Sequence, residues 1–481
     1  MKKVVKTLLL VCSLLSLVGC KDSNVITLNI ISMNDTHGAL TETHASAGLI
    51  KGASYIEKIK KENKKGTIIL SAGDMYQGTA VSNMEYGNTM IECMNALEFD
   101  AMTVGNHEFD WGEQIIKNHH DGNLENGEAN YPYIACNIFN NNGTESTSDD
   151  TRVDWCKDYV VIERKNVKIG VIGWISESCV EDIAEPIVKN FAFHSPLPLL
   201  EEYAKKLRSE ENCDIIIAMG HEGSELNNSI MKFKEESRVN LIINGHSHTY
   251  YTNDKGIPSI QSGSSMAYIA NTTIKLDKKT KEVIAVSPYQ EKITKEMEES
   301  KTIKKVLEDR LDKYQYLFEE ITKAGSNLST SKVGQWVSEC IKKSTGSDVG
   351  IVNSGGIRQA AFPIYKGDSI NEDRMWMLMP FDNEINTCYL KGSQIKSLKG
   401  NSDGFIFDLS YKNTDWEDDK LYKVAACDYV FNKTIYPFLE GEEVTETKLL
   451  VRDMIIKDLR EWGKQNRDWD ASESLLSKVE Y

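Results

Sequence analysis

The chain holds ten cysteines but no CxxC pair. Beyond Cys12 and Cys20 they are scattered, at Cys93, Cys136, Cys156, Cys179, Cys213, Cys340, Cys388 and Cys427. That spacing offers no disulfide framework, and buried free thiols or one or two bridges are expected. Positive charge is also short. The chain has 56 Lys and Arg against 72 Asp and Glu, a formal net charge of -16. Binding along a nucleic-acid backbone needs a basic face, so nucleic acid is not an expected partner. Small anionic substrates stay open, because a few local cations or metals reverse the field inside a cleft. There is no GxxxxGK[ST] loop, so nucleotide-driven phosphoryl transfer by that route has no support. Low-complexity tracts and internal repeats are absent too.

Long apolar runs are missing beyond the first twenty residues. There, MKKVVK is basic, TLLLVCSLLSLVG is apolar, and Cys20 follows. The run is short of the ~20 residues a membrane-spanning helix needs, and its layout is that of a secretory signal. Leu17-Val18-Gly19-Cys20 resembles a bacterial lipobox. Residues 1–20 are therefore expected to be a lipoprotein signal peptide, with Cys20 lipidated. The expected location is the bacterial cell envelope, with membrane contact through the lipid anchor only.

With 481 residues, 40% of them hydrophobic and 27% charged, the chain is too long for one ordinary core, and two domains are expected. Strand candidates are 25–33, 67–71, 101–104, 167–174, 214–219 and 240–244. They are near-continuous apolar runs, as in strands covered on both faces. Amphipathic stretches at 49–64 and 196–211 lie between them, which predicts a layered α/β architecture. A β pattern follows from 257 to 287, then a charged helical stretch at 295–324. The segment 326–348 has Ser/Thr caps, an amphipathic pattern and a Gly stop, and is predicted to be a connector helix. From 349 to 481 the pattern is that of a smaller α+β domain.

Five strand candidates run into polar signatures. These are NDTHG with Asp35 and His37, AGD with Asp74, GNHEFD, GHEG with His221, and GHSH with His246 and His248. GNHEFD supplies Asn106, His107 and Asp110. Five of the nine histidines fall in these signatures. In open α/β folds ligands bind outside the carboxyl ends of the strands, so the five ends predict one shared site. His nitrogen and Asp oxygen suit Zn, Mn or Fe, and there are more donors than one tetrahedral ion can use. Two ions sharing a carboxylate would use them, an arrangement that serves phosphate ester hydrolysis. His44, His119, His120 and His194 fit no ligand spacing, and His119-His120 reads as a solvated pair.

The ordered set DTH, GD, GNHEFD, GH and GHSH resembles the calcineurin-like metallophosphoesterases. NSGGIR (353–358), MPFDNEI (379–385) and YLKGSQI (389–395) resemble the C-terminal domain of bacterial 5′-nucleotidases and UDP-sugar hydrolases. The resemblance implies a four-layer α/β/β/α metallophosphoesterase domain over 26–325, joined by the helix to a substrate-binding domain over 349–481. It implies two divalent ions, Zn or Mn. Asp35, His37 and His248 would hold one, Asn106, His221 and His246 the other, with Asp74 shared. His107 and Asp110 match the family's catalytic dyad, and Glu108 receives no direct role. Arg358 is the expected phosphate clamp, and Asn353, Gly355 and Gly356 would line the substrate. The family stacks a base between two aromatics. Phe405 in DGFIFD is the first candidate, and Tyr436 the second, because Asn432-Lys433-Thr434 stands where a GGDG-type motif would be. The implied activity is release of inorganic phosphate from 5′-nucleotides by metal-activated water. Alternatives are UDP-sugar hydrolysis, cleavage of 2′,3′-cyclic nucleotides with 3′-nucleotides, or a non-catalytic metal- or nucleotide-binding lipoprotein.

Overall fold

The computed structural model describes residues 24–481 apart from 45, 125–126, 144–147 and 402. The expected signal peptide and its lipidation site, Cys20, lie outside the described residues. No helix among the described residues is long and apolar enough to cross a membrane.

Two mixed sheets form the centre of the first domain. In one, Val25–Met33 runs parallel to Thr67–Ser71, which is followed by Ala101–Thr103 and Tyr133–Ile134, also parallel. On its other side Val25–Met33 pairs antiparallel with Tyr268–Asp277, and Val283–Ser287 continues the sheet. In the second sheet Ile215–His221 lies parallel to both Val167–Ile175 and Leu241–Asn244. Ser259–Ser262 and Tyr250–Asn253 flank it on one side, and Tyr159–Arg164 on the other.

Burial follows the strand period of two. Leu28 and Ile30 join Ile169, Val171, Ile215 and Ile217 in one core. Their chain neighbours Ile31 and Met33 belong to another core, with Leu49, Ile50, Ala53 and Ile56 of helix Gly48–Asn63. Ile216, Ala218 and Ile242 pack with Leu200, Ala204 and Leu207 of helix Pro196–Ser209. The strands are thus covered on both faces, and this is why they read as apolar runs and not as alternations. The layers are α/β/β/α. At roughly 1.5–3 kcal/mol for each fully buried aliphatic side chain, this double burial makes the sheet pair a rigid base for whatever its strand ends carry.

The second domain has a five-stranded sheet in the order Phe405–Phe407, Val349–Asn353, Leu421–Cys427, Glu384–Lys391, Glu442–Leu450. Helices Thr330–Thr345 and Val451–Lys464 share its core. The first of these starts where the Ser329 side chain accepts from the Lys332 N–H and stops at Gly346, with φ 63°, as its caps predict. It is not a free-standing connector. Val333, Trp336, Val337, Cys340 and Ile341 are buried in the second core, and Trp336 Nε1 donates to Asp458 at 2.7 Å. The first core extends to Leu317 and the second begins at Ala324, so the chain passes between them over 318–323. The charged stretch at 295–324 is α-helical only over Lys301–Lys313, from a Ser300 cap. It ends at Tyr314, whose hydroxyl donates to Glu85 at 2.9 Å. All eight described cysteines are free and seven are buried.

Candidate active site

The five polar signatures do meet. Each leaves the carboxyl end of a strand, and the turn that follows brings its side chains back over the sheet. The turns use an unusual backbone. Asp35, His37, Asp74, His246 and His248 have φ of 48°, 50°, 55°, 68° and 55°. This left-handed region is uncommon outside glycine, though Asn, Asp and His are enriched there. Cross-loop bonds fix it. Asp35 N–H donates to Gly73 O and His37 N–H to Asp74 O, both at 3.0 Å, and His246 N–H donates to Asp35 Oδ2 at 2.9 Å. The glycines permit close approach. A Cβ on Gly105 would lie 2.2 Å from Asp74 Oδ1, and one on Gly73 2.7 Å from His221 Nδ1.

Two donor clusters result, Asp35 with His37 and His248, and Asp74 with His221 and His246, their ligand atoms within 4.8 Å of one another. Asp74 also groups with His37 and His107, which places it between the clusters. Asn106 joins the second, its Oδ1 lying 3.0 Å from His221 Nε2 and 3.1 Å from His246 Nδ1. His37 Nε2 and His248 Nε2 are 2.9 Å apart. Backbone carbonyls occupy the far side of two rings: His221 Nδ1 lies 2.8 Å from Ala72 O, and His37 Nδ1 3.2 Å from Gln77 O. With Nδ1–H donating there, each Nε2 lone pair is left pointing into the cluster, as outer partners of metal-binding histidines do. Lone pairs that converge so closely suit a shared cation. The donor set therefore fits a binuclear divalent metal site. Burial opposes charge on Asp74, but His221 and His107 hold its carboxyl well below the usual range. Burial likewise opposes charge on His221, yet Asp74 pushes it up to about 10. A proton and a metal compete for that one lone pair.

Beside the clusters, His107 Nδ1 lies 2.8 Å from Asp110 Oδ2. Against burial, Asp110 and Asp74 raise His107 above its ordinary value. Burial raises Asp110 despite His107. Facing them from the second domain, the half-buried Arg358 has its guanidinium 5.6 Å from the Phe381 ring centroid, and that ring stacks on His107 at 5.6 Å and 28°. Among the described residues no carboxylate pairs with Arg358. A cavity of about 370 Å³ between the domains is lined by Asp74, Asn106, His107, Asp110, Arg358 and Phe381. Asn353, Gly355 and Gly356 line it too. Asn83 Nδ2 donates to Pro380 O at 2.8 Å and Tyr429 OH to Glu181 O at 3.1 Å, and both bonds tie the domains together beside this cleft.

Phe405 and Tyr436 are not among the residues that line this cavity. Their ring centroids are 4.7 Å apart at 54°, in contact and tilted, so no planar base fits between them. Tyr436 is buried, and its hydroxyl donates to Asp403 Oδ2 at 2.5 Å. It serves the core of the second domain in this arrangement. His119 is no solvated residue either. It is buried, with Nδ1 2.9 Å from Tyr133 OH, beside a Tyr76–Tyr131–Tyr133 hydroxyl cluster. His194 pairs with Asp150 at 2.8 Å. Two functional positions escaped sequence reasoning. Glu108 accepts the N–H groups of Asp74, Met75 and Gly105 at 2.9, 2.9 and 2.7 Å, and so ties two signatures together. Burial and Asp74 push its carboxyl up to about 7. Its place next to His107 was the available signal. Phe381 was the other, and MPFDNEI carried it.

Comparison with known proteins gives the same picture. Residues 28–250 match the calcineurin-like phosphoesterase family and 310–434 match the 5'-nucleotidase C-terminal domain. Endonuclease YhcR of Bacillus subtilis (strain 168) is 25% identical over 419 residues, 78% of this chain and 32% of that protein. The trifunctional nucleotide phosphoesterase protein YfkN of the same organism is 24% identical over 462 residues, 88% of this chain and 30% of that protein. The chain thus spans about a third of the length of these two relatives. The crystal structure of a 5'-nucleotidase precursor from Thermus thermophilus superimposes with a TM-score of 0.72 at 19% identity, covering 91% of this chain and 97% of that one. Residues 28–250 of the chain are thus a calcineurin-like phosphoesterase domain, and residues 310–434 a 5'-nucleotidase C-terminal domain.

Proposed function

We propose that this protein releases inorganic phosphate from 5′-nucleotides. The observation that carries this reading is the meeting of two donor clusters around Asp74 with the His107–Asp110 pair on one side of a cleft and Arg358 on the other. Asp35, His37 and His248 would hold one divalent ion, Asn106, His221 and His246 the other, and Asp74 both. Zn or Mn suits these donors. When bound, the pair supplies Lewis acidity and an activated water nucleophile.

The chain's own side chains do the rest. The Arg358 guanidinium, with no carboxylate paired to it among the described residues, offers two parallel donors to phosphate oxygens. Phe381 packs between Arg358 and His107 and keeps both at the cleft. His107, held charged by Asp110, donates to the oxygen on which negative charge develops as the ester bond breaks. Glu108 keeps the Asp74 and Gly105 turns in register. The nucleoside would lie toward the second domain.

The contact between Phe405 and Tyr436 favours a second reading, in which the same centre cleaves UDP-sugars or 2′,3′-cyclic nucleotides and the base is held elsewhere. The test is phosphate release from 5′-AMP by the mature chain, stripped with chelator and reloaded with Mn or Zn. Metal-dependent release is expected. Turnover of UDP-sugars or cyclic nucleotides with none of 5′-AMP would move the assignment to the second reading. No turnover of any, with nucleotide retained at one equivalent, would leave a binding protein.

Export and lipid anchoring through Cys20 belong to the same proposal. Their support is the basic segment, apolar run and Leu17-Val18-Gly19-Cys20 of the sequence. Radiolabelled palmitate should enter the wild-type chain in cells and not a Cys20→Ser variant. Equal labelling of both would end that proposal.

A further inference from the structure

One side chain at the cleft has no part in the account so far. Gln77 is 1% exposed, and neither its Nε2 nor its Oε1 has a hydrogen-bond partner. Burying an unmet donor and an unmet acceptor together is costly, and such a group calls for an explanation. The backbone there is firmly set. The Gln77 carbonyl lies 3.2 Å from His37 Nδ1, and a Cβ on the next residue, Gly78, would lie 2.3 Å from the His37 carbonyl oxygen. The Gly78 N–H donates to Asn83 Oδ1 at 2.8 Å, and Asn83 in turn bonds Pro380 across the domains. The backbone is thus held in place while the carboxamide is left without a partner.

Its position is informative. A second cavity, of about 480 Å³, adjoins the one that contains His107 and Asp110. Gln77, His248, Gly355, Arg358 and Pro380 line both. Gln77 therefore stands in the dividing wall together with the candidate phosphate clamp.

We propose that Gln77 is a specificity-determining residue that reads a phosphoester whose organic group carries a hydroxyl, as a ribose does. Nε2 donates to a phosphoryl oxygen. Oε1 can only accept, and a phosphate dianion has no proton to give it. A sugar hydroxyl on the same ligand supplies that proton, so such a substrate satisfies both ends of the amide. A phosphate on an aromatic ring that carries no hydroxyl satisfies one end. Discrimination of this kind comes from leaving a buried polar group unpaired in the complex with the wrong substrate. The inference rests on the reading of the site as a phosphoester hydrolase.

The test compares wild type with Gln77→Met, which keeps the shape and removes both polar atoms, and with Gln77→Ala. Three quantities are read: kcat/KM for 5′-AMP, kcat/KM for 4-nitrophenyl phosphate, and the melting temperature of the metal-loaded protein without substrate. For Gln77→Met, kcat/KM for 5′-AMP should fall roughly tenfold or more, with a much smaller fall for 4-nitrophenyl phosphate. Its melting temperature should hold or rise, because an unmet buried amide is gone. Equal falls on both substrates, or a lowered melting temperature in both variants, would make Gln77 a structural residue and overturn the proposal. Unchanged kinetics would overturn it as well. If wild type turns over neither substrate, the 5′-nucleotidase reading beneath fails by itself. Calorimetric binding of 5′-AMP to wild type and Gln77→Met then decides the role of Gln77, and equal affinity would reject it.

Discussion

The two sides of the cleft reach it by different means. On the first domain, the donors Asp35, His37, Asp74, Asn106, His221, His246 and His248 stand within a few residues of strand ends, on sheets buried on both faces. On the second, Arg358 lies beyond the strand Val349–Asn353 in an irregular segment. Phe381 lies between helix Glu372–Leu378 and the strand Glu384–Lys391. Strand ends fix a side chain through the sheet's register. Loops fix it through their own packing and through whatever docks on them. The first side therefore suits chemistry, which tolerates little displacement, and the second suits recognition, where relatives can differ.

Four substitutions sharpen or break that contrast. Asp74→Ala, on the first side, should have the largest effect. Activity should fall by more than the roughly 10–100-fold seen when only an outer partner of a metal ligand is lost. Elemental analysis should find both ions depleted, and depletion of one alone would remove Asp74 from its shared position. His107→Ala comes next, with a fall in kcat on the order of 10²–10⁴ at undiminished metal content. Metal loss as deep as in Asp74→Ala would turn His107 from an acting group into a ligand. Arg358→Ala, on the second side, should raise KM roughly 10–100-fold through loss of charge-assisted bonds to phosphate, with a smaller change in kcat. A kcat effect matching that of His107→Ala would mean that the two sides do not divide the work as argued. The smallest effect is expected for Tyr436→Phe. Removing its bond to Asp403 should cost about 1 kcal/mol of stability in denaturant unfolding and leave kcat/KM for 5′-AMP nearly untouched. A tenfold loss there would restore Tyr436 to the base site.

The same contrast explains what was legible in the sequence. Apolar runs of the right length marked the strands, and a polar residue just after such a run marks a place where the backbone must expose donors. Asp35, Asp74, His221 and His246 could thus be picked out from local pattern. The pattern gave nothing comparable for Phe405 and Tyr436, whose neighbours are set by how strand Phe405–Phe407 packs on the segment around Phe438. Local pattern was also silent on Gln77, and for Glu108 it offered only the place beside His107. Neither breaks an apolar run, and their roles arise only when separate turns come together. The helix Thr330–Thr345 shows the same limit from the other direction. Its caps fixed its ends, but the amphipathic pattern could not say which core would take its apolar face.

The left-handed backbone at Asp35, His37, Asp74, His246 and His248 bears on how such a centre can diverge over evolutionary time. The side chains that tolerate this conformation, chiefly Asn, Asp, His and Gly, overlap with those that bind metals or leave a coordination position open. Drift at these five positions is therefore channelled. An exchange among Asp, Asn and His keeps the turn while it alters the charge and donor atom offered to the ion. A Val, Ile or Thr would have to break the loop before any question of chemistry arose. A lineage can retune its metal here by single steps, while most of the amino-acid alphabet is closed to it on conformational grounds alone.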